Sequence, residues 1–424
     1  MDTIFALSSG APPAAIAILR ISGPGAGGAI DALASLRPEP RRVTVCELYG
    51  TGGELLDEAL VLWMPGPRSA TGEDCAELHC HGGRAVVAAV KRALAALPGM
   101  REAEPGEFTR RAFANGRIDL AEAEGLADLL EAETEMQRAS AVAMAGGALS
   151  RQTDAWRDDV LRLSAQVEAA LDFSDEDDVP GLPETFRADL RSLAGGVGEW
   201  LERPRAERLR DGYRIAIGGP PNSGKSTLFN ALIDSEAAIT SPIAGTTRDV
   251  IERSVAMGGV PFTFVDLAGL RDAGTDAIEV IGIERARDQL GKADAVLWLG
   301  SEGEGPSGAI EIEAQIDLND HPSKVDPAFR VSAVTGAGMD DLRKALVEQA
   351  RMAMPRPGEV ALNQRQSALV AELVVQLEEA LGCEDPLLVA ECLRRARMAL
   401  DRLMGRASTE DMLDALFGRF CIGK

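Results

Sequence analysis

Apolar and polar positions change texture three times along the chain. Residues 1–117 mix short apolar runs, such as Ala15–Leu19 and Ala59–Trp63, with loops and one helix-like stretch, Ala85–Leu97. Such a mixture predicts a compact α+β domain. From Ile118 to Phe173 there is no Pro, and Ala, Leu, Glu and Gln carry apolar residues at helical spacing. The acidic run Ser174–Asp178 interrupts this pattern and reads as a solvated loop; a second helical run extends from Pro183 to about Arg203. Residues 210–353 alternate strand-like and helix-like segments, and 354–424 are helical again. The expected architecture is therefore multidomain. An α+β domain (1–117) precedes a discontinuous α-helical domain (118–209 and 354–424), into which an α/β nucleotide-binding domain (210–353) is inserted.

Composition narrows the function classes. Hydrophobic residues make up 46% and charged residues 26%, an ordinary balance for packed domains, but aromatics are only 4%, so the cores must be aliphatic and Ala-rich. The net charge of −23 argues against a broad electrostatic grip on nucleic acid by this chain alone. The strip Arg203, Arg205, Arg208, Arg210 and Arg214 is diluted by Glu202 and Glu207 and reads as a solvated face. Six cysteines without a disulfide spacing point to a reducing, cytoplasmic setting. There is no basic leader and no apolar run long enough to span a membrane.

The strongest chemical signal is Gly219-Pro220-Pro221-Asn222-Ser223-Gly224-Lys225-Ser226, preceded by the strand-like Arg214–Gly218 and followed by the helix-like Thr227–Ile233. Strand, glycine-rich loop and helix are what a phosphate cradle requires. Gly219 and Gly224 let backbone N–H groups curl around phosphates, Lys225 supplies a point charge, and Ser226 is placed to ligate Mg²⁺. Downstream, Gly245-Thr246-Thr247-Arg248-Asp249 offers Thr247 to close over the γ-phosphate and complete the Mg²⁺ shell. The strand Phe262–Val265 then delivers Asp266-Leu267-Ala268-Gly269, with Asp266 toward Mg²⁺ and the Gly269 N–H toward the γ-phosphate. Leu270 stands where Ras-type enzymes carry the water-orienting Gln, so another residue must do that work. Asn222 offers a carbonyl oxygen that can hold a monovalent cation.

The guanine-reading Asn-Lys-x-Asp motif is altered. Ala314-Gln315-Ile316-Asp317 keeps only Asp317, which can pair with the base N1 and N2 groups. Ser323-Lys324-Val325-Asp326 is a rival without a preceding apolar strand, and Gly300–Gly308 is too short and glycine-rich for the helix expected there. Ser332-Ala333-Val334 fits the base-contacting turn. GTP is expected, with lower affinity or specificity than an intact motif gives.

Over its whole length the chain resembles the MnmE (TrmE) family of tRNA-modification GTPases. The resemblance rests on Asp2-Thr3-Ile4, Leu19–Pro24, Thr71–Asp74, Glu77–Gly83, Pro105–Phe113, Asn115–Arg117, Asp119–Ala121, Ile281–Ala286 and the terminal Cys421-Ile422-Gly423-Lys424. It implies a homodimer formed by a folate-binding N-terminal domain. It also implies a heterotetramer with an MnmG-type FAD protein, the FAD belonging to that partner, and tRNA engaged mainly with the partner. The implied product is a carboxymethylaminomethyl or aminomethyl group on C5 of wobble uridine 34, with 5-formyl- or 5,10-methylene-tetrahydrofolate as one-carbon source. Carried over by motif, Arg20, Glu77, Arg117 and Lys424 contact the folate, Arg117 standing where the family usually has Lys. Asn222, Ser241, Ile243 and Thr246 match the K⁺ positions within the nucleotide segment Ser241-Pro242-Ile243-Ala244-Gly245-Thr246-Thr247. Glu279 matches the residue that positions water indirectly, and Cys421 is a catalytic candidate or a structural thiol.

Cys75, His79, Cys80 and His81 lack the spacing of a structural zinc site, since strand neighbours point to opposite faces. His79 or His81 reads either as a folate neighbour or as a structural hydrogen-bonding residue. The competing function is a nucleotide-controlled scaffold GTPase whose hydrolysis only times partner binding.

Overall fold

The computed structural model describes residues 2–172, 182–234, 251–266, 290–321, 323–356, 358–406 and 410–423. By its internal contacts the chain forms two compact units, Met1–Ala127 with Asp401–Lys424, and Asp128–Leu400. This division is coarser than the four sequence segments and puts the last helix with the N-terminal sheet.

In the first unit, β1 (Thr3–Leu7), β2 (Ile16–Ser22), β3 (Val43–Tyr49), β4 (Leu55–Met64), β5 (Cys75–His81) and β6 (Met100–Glu102) form one sheet in the order β3-β4-β5-β2-β1-β6. Its pairs are antiparallel except for parallel β1 and β6. Alternation along the strands sends Phe5, Leu19, Ile21, Val61, Trp63 and Leu78 to one face. There they pack with Ile30 of α1 (Ala26–Leu33) and Val90 and Leu94 of α2 (Arg84–Ala95). On the opposite face, Ile4 and Ala6 pack with Phe108 of α3 (Glu107–Ala114). The β3–β4 end of that face stays open, with Val43 and Val45 each 56% exposed and Leu60 40% exposed.

The same unit contains α4 (Leu120–Glu131), which begins within it, and the closing helix, numbered α13 below. Leu120 and Ala123 pack with Leu416, Phe417 and Phe420, and Phe113 lies 6.1 Å from Phe417 between ring centroids.

In the second unit the Pro-free helical stretch is broken, giving α5 (Glu135–Ala145) and α6 (Ala148–Asp172) after α4. Thr134 and Gln137 form a reciprocal cap at the start of α5, which stops the preceding helix from running on. Next come α7 (Phe186–Leu201), α8 (Ala206–Asp211), β7 (Tyr213–Gly218), α9 (Lys225–Asp234) and the hairpin β8 (Ile251–Met257) and β9 (Val260–Asp266). They are followed by β10 (Ala295–Trp298), β11 (Ile310–Glu313), β12 (Phe329–Arg330), α10 (Met339–Ala353), α11 (Gln364–Gly382), α12 (Pro386–Leu403) and α13 (Glu410–Phe417).

The second sheet has the order β12-β11-β10-β7-β9-β8, parallel except at the β8–β9 hairpin. Its core runs through Ile215, Ile217, Phe262, Phe264, Leu297 and Leu346, and takes in Met136 from α5. Helices from the two sides of the inserted segment pack together: α7 and α11 bury Leu190, Val197, Leu373 and Leu377, and Arg187 donates to Leu381 O at 2.8 Å. The expected helix between β10 and β11 is absent from the described residues 299–309. In its place a glycine loop wraps Trp298, whose indole donates to Ser301 O at 3.0 Å; a Cβ on Gly300 or Gly305 would come within 2.7 Å of the ring.

Arg205, Arg208 and Arg210 of the basic strip are exposed, as a solvated face requires, while three of its members also make local contacts. Arg203 stacks 4.0 Å from the Trp200 ring centroid, Arg208 donates to Ala353 O at 3.1 Å, and Arg214 pairs with Glu252 at 2.9 Å.

Candidate functional site

The glycine-rich loop sits between β7 and α9, as strand, turn and helix N-terminus. Gly219 (φ +152°) and Gly224 (φ +88°) occupy backbone regions that side chains disfavour, and Asn222 adopts φ +64°. Positive-φ turns of this kind are what an anion-binding nest of backbone N–H groups requires. Lys225 is buried and its Nζ donates to Pro220 O at 2.6 Å, which keeps the ammonium against the loop. Ser226 Oγ donates to Asp266 Oδ2 at 3.0 Å, and Asp266 is buried at the end of β9. A hydroxyl beside a carboxylate is a hard oxygen pair suited to Mg²⁺. Among the described residues the buried Ser223 hydroxyl has no hydrogen-bond partner, an orphaned polar atom inside the cradle.

Beside the loop lies a cavity of about 120 Å³ whose lining includes Gly224, Thr227, Ala314, Gln315, Asp317, Ala333 and Val334. The altered base motif thus reaches the same place as the phosphate loop. Among the described residues Asp317 is the one acidic side chain lining that cavity, suited to accept from adjacent N–H donors. Gln315, at φ +61°, extends its amide to 3.4 Å from Asn222 O, a long contact between base turn and phosphate loop. Ser332 is buried, and its hydroxyl accepts from Thr335 N at 3.1 Å, shaping the turn that carries Ala333 and Val334.

The rival Ser323–Asp326 segment does other work. Lys324 is buried, donates to Trp298 O at 2.8 Å and pairs with Glu311, while Val325 is 92% exposed. Lys324 therefore ties the segment to β10 and β11.

Ser241, Pro242, Ile243, Ala244, Gly245, Thr246, Thr247, Leu267, Ala268, Gly269, Leu270, Glu279 and Lys424 lie outside the described residues, as does the acidic run 174–178.

In the N-terminal unit, Arg20 and Glu77 are directly opposed on β2 and β5, with Arg20 Nη2 2.9 Å from Glu77 Oε1. The other Glu77 oxygen lies 3.0 Å from His79 Nε2. Burial opposes ionisation of Glu77, but the His79 hydrogen bond and the Arg20 guanidinium together hold it below the usual carboxylate range. Cross-strand register puts Ile18, Arg20, Leu60, Leu62, Glu77 and His79 on the same face, continuous with Val43 and Val45. Arg117 donates from Nε to Ser69 O at 3.2 Å and packs its stem where a Cβ on Gly72 would fall. His81 binds Asp57 through Nδ1 at 2.7 Å. Among the described residues no group of three or more His, Cys, Asp or Glu could hold a metal ion.

Motif residues that had no assigned role converge as well. Ser22 Oγ donates to Glu73 Oε2 at 2.7 Å, and Arg111 joins Glu73 (3.2 Å), Asp2 (2.8 Å) and Glu107 (2.9 Å). Their separation along the chain hid this network.

The terminal segment is laid against the start of the chain. Ile422 bridges Pro105, Ser8 Oγ donates to Gly423 O at 2.8 Å, and Gly423 (φ +99°) leaves no room for a Cβ beside Leu7 O. Cys421 is exposed.

Two family models match the chain: one described as the MnmE helical domain over residues 120–421, and one as the GTP-binding protein TrmE N-terminus over residues 3–117. The chain is 63% identical to a tRNA modification GTPase MnmE of Erythrobacter litoralis over 424 residues, covering 100% of each. It is 60% identical to that of Novosphingobium aromaticivorans and 50% identical to that of Zymomonas mobilis, again covering 100% of each chain. Among solved structures, the G domain of the T. maritima FeoB iron transporter matches 32% of this chain and 98% of its own at 28% identity, with a TM-score of 0.23.

Proposed function

The chain belongs to the MnmE family of tRNA modification GTPases, and on that premise we propose that it is a K⁺-dependent GTP hydrolase acting in wobble-uridine modification. With an MnmG-type FAD protein it installs an aminomethyl or carboxymethylaminomethyl group on C5 of uridine 34, using a tetrahydrofolate one-carbon donor. The observation that carries the hydrolase reading is the Ser226–Asp266 pair beside a loop with Asn222 in the left-handed region.

The residues divide the work of phosphoryl transfer. Loop N–H groups from Asn222 to Thr227 bind the phosphates and Lys225 sets the charge on the β- and γ-oxygens. Ser226 and Thr247 would hold Mg²⁺, with Asp266 reaching it through water, and the metal would supply positive charge against the charge that develops on the phosphates. Asn222, Ser241, Ile243 and Thr246 would hold K⁺, which supplies the positive charge that other GTPases take from an arginine finger. Glu279 orients the attacking water indirectly, since Leu270 cannot. Asp317 accepts from guanine N1–H and N2–H, with Ser332, Ala333 and Val334 bounding the base.

On the N-terminal sheet, Arg20, Glu77 and Arg117 bind the folate with Lys424, and Cys421 is a candidate nucleophile. The open apolar face at Val43, Val45 and Leu60 supports a homodimer built on this unit, because an apolar sheet face of that extent needs covering.

Reconstitution with an MnmG-type partner, tRNA, folate and GTP tests the whole reading. Modified uridine should form in K⁺ and not in Na⁺. Unmodified tRNA under all conditions would leave the scaffold GTPase. The loss of Asn and Lys from the base motif favours a second reading, relaxed guanine specificity; equal hydrolysis of GTP and ATP would establish it.

A further inference from the structure

The turn after β11 is held by a histidine to which no role has been given. His321 Nδ1 lies 2.8 Å from Leu318 O, and its Nε2 lies 2.9 Å from Glu313 Oε1. A neutral imidazole has one donor and one acceptor nitrogen, whereas the imidazolium has two donors. A carbonyl and an ionised carboxylate only accept, so both contacts are satisfied together only when the ring is protonated. Glu313 is 6% exposed on its side chain and also accepts from Arg330 Nε at 3.1 Å and Lys324 N at 3.4 Å, which fixes it as the anion.

Glu313 and Leu318 bracket the segment Ala314-Gln315-Ile316-Asp317, so the imidazole joins the two ends of the turn whose Asp317 lines the base cavity. Other ties on this turn are Leu318 N to Gln315 O at 2.9 Å, Ile316 N to Val331 O at 3.4 Å and the long Gln315–Asn222 contact. The Asn and Lys that ordinarily brace such a turn are missing.

We propose that protonated His321 is the positioning residue of the guanine-reading turn, clasping its ends so that Asp317 meets the base without the missing Asn and Lys. The proposal rests on the reading of Asp317 as the guanine contact. The charged groups around the ring favour its cationic form. The Leu318 carbonyl and the Glu313 carboxylate raise its pKa above the ordinary 6.5; Arg330, on β12, opposes this, and Lys324 directs its ammonium to Glu311 and Trp298 O instead. The clasp is therefore complete below pH 6.5 and is lost as pH rises through the raised value. Nucleotide binding should weaken over the same interval.

The test uses the full chain and its His321→Ala, His321→Arg and Asp317→Asn variants. GDP affinity is measured by calorimetry between about pH 6 and pH 9, and GTP and XTP hydrolysis alongside. With only three histidines in the sequence, the His321 resonance can be titrated directly by NMR. Expected is an about tenfold weaker GDP affinity for His321→Ala at the acid end, a raised KM for GTP and an unchanged kcat. The variant's pH profile should be flat by comparison. His321→Arg, a permanent cation with several donors, should keep tight binding at the alkaline end. The proposal is overturned if wild type and His321→Ala share one GDP affinity and one pH profile while Asp317→Asn moves the preference from GTP to XTP. If Asp317→Asn leaves that preference unmoved, the reading of the turn falls and the proposal falls with it.

Discussion

Ser226 Oγ and Asp266 Oδ2 meet at 3.0 Å, joining the first turn of α9 to the last residue of β9. Two elements far apart in sequence thereby present neighbouring oxygen donors beside the phosphate loop. Ser226→Ala or Asp266→Asn should lower kcat for GTP by about a hundredfold or more, because the metal's charge acts mainly in the transition state. Ser226→Thr should keep most of the rate. Activity titrated against Mg²⁺ checks this; a Ser226→Ala enzyme with wild-type rate and Mg²⁺ dependence would remove the pair from the site.

Arg20→Ala should weaken tetrahydrofolate binding by about tenfold or more and leave GTP hydrolysis by the free chain unchanged, since it strands a half-buried Glu77 carboxylate. The pH dependence has a defined sign. Glu77 is held below its ordinary 4.5, so its contribution to stability is full above that value and declines as pH falls through the depressed one. Acid unfolding of wild type and Glu77→Gln should converge in this range and differ at neutral pH, which a denaturation series at several pH values can follow.

Gly106→Ala should destabilise the chain by about 2–4 kcal/mol, because the residue sits at φ +69° and a Cβ there would strike Phe417 O. Gly116→Ala is the control: φ is +65° and nothing lies within 4 Å of the added Cβ. That variant should lose only about 1–2 kcal/mol from the backbone conformation. Urea midpoints of the two proteins separate the clash from the strain.

Thiol labelling at neutral pH should reach Cys421 first. Burial pushes Cys80 up to about 12, and Cys46, Cys75 and Cys392 are also buried, whereas Cys421 is exposed. Peptide mapping after brief iodoacetamide treatment should find Cys421 modified ahead of Cys80; the reverse order would contradict the placement of the tail.

Local pattern made the strands and helices readable. The phosphate loop, the strand before Asp266 and the helical segments on either side of the inserted domain fall where alternation and helical spacing put them. What was hidden depends on tertiary contact. The helical stretch from Ile118 is three helices because Thr134–Gln137 capping and the Gly146-Gly147 pair interrupt an apolar pattern that continues across them. Lys324 resembled a base-motif lysine by spacing, and only its burial between Trp298 O and Glu311 assigns it to the sheet. His321 gave no signal at all, because an isolated histidine in a polar loop has no period and its two partners are known only from the fold.

The seam between Gly423 and Ser8 ties chain synthesis to the integrity of the first unit. β1 leaves the ribosome well before the segment that clasps it, and Leu120 well before the Phe417 and Phe420 that cover it. At ordinary elongation rates the residues between 127 and 401 take roughly fifteen to fifty-five seconds to make. Through that interval the apolar side of α3 and α4 at Phe113, Leu120 and Ala123 waits without its cover. A ribosome that stalls inside the second unit therefore releases a product marked by its own unclosed first unit, visible to chaperones and proteases before any activity is assayed.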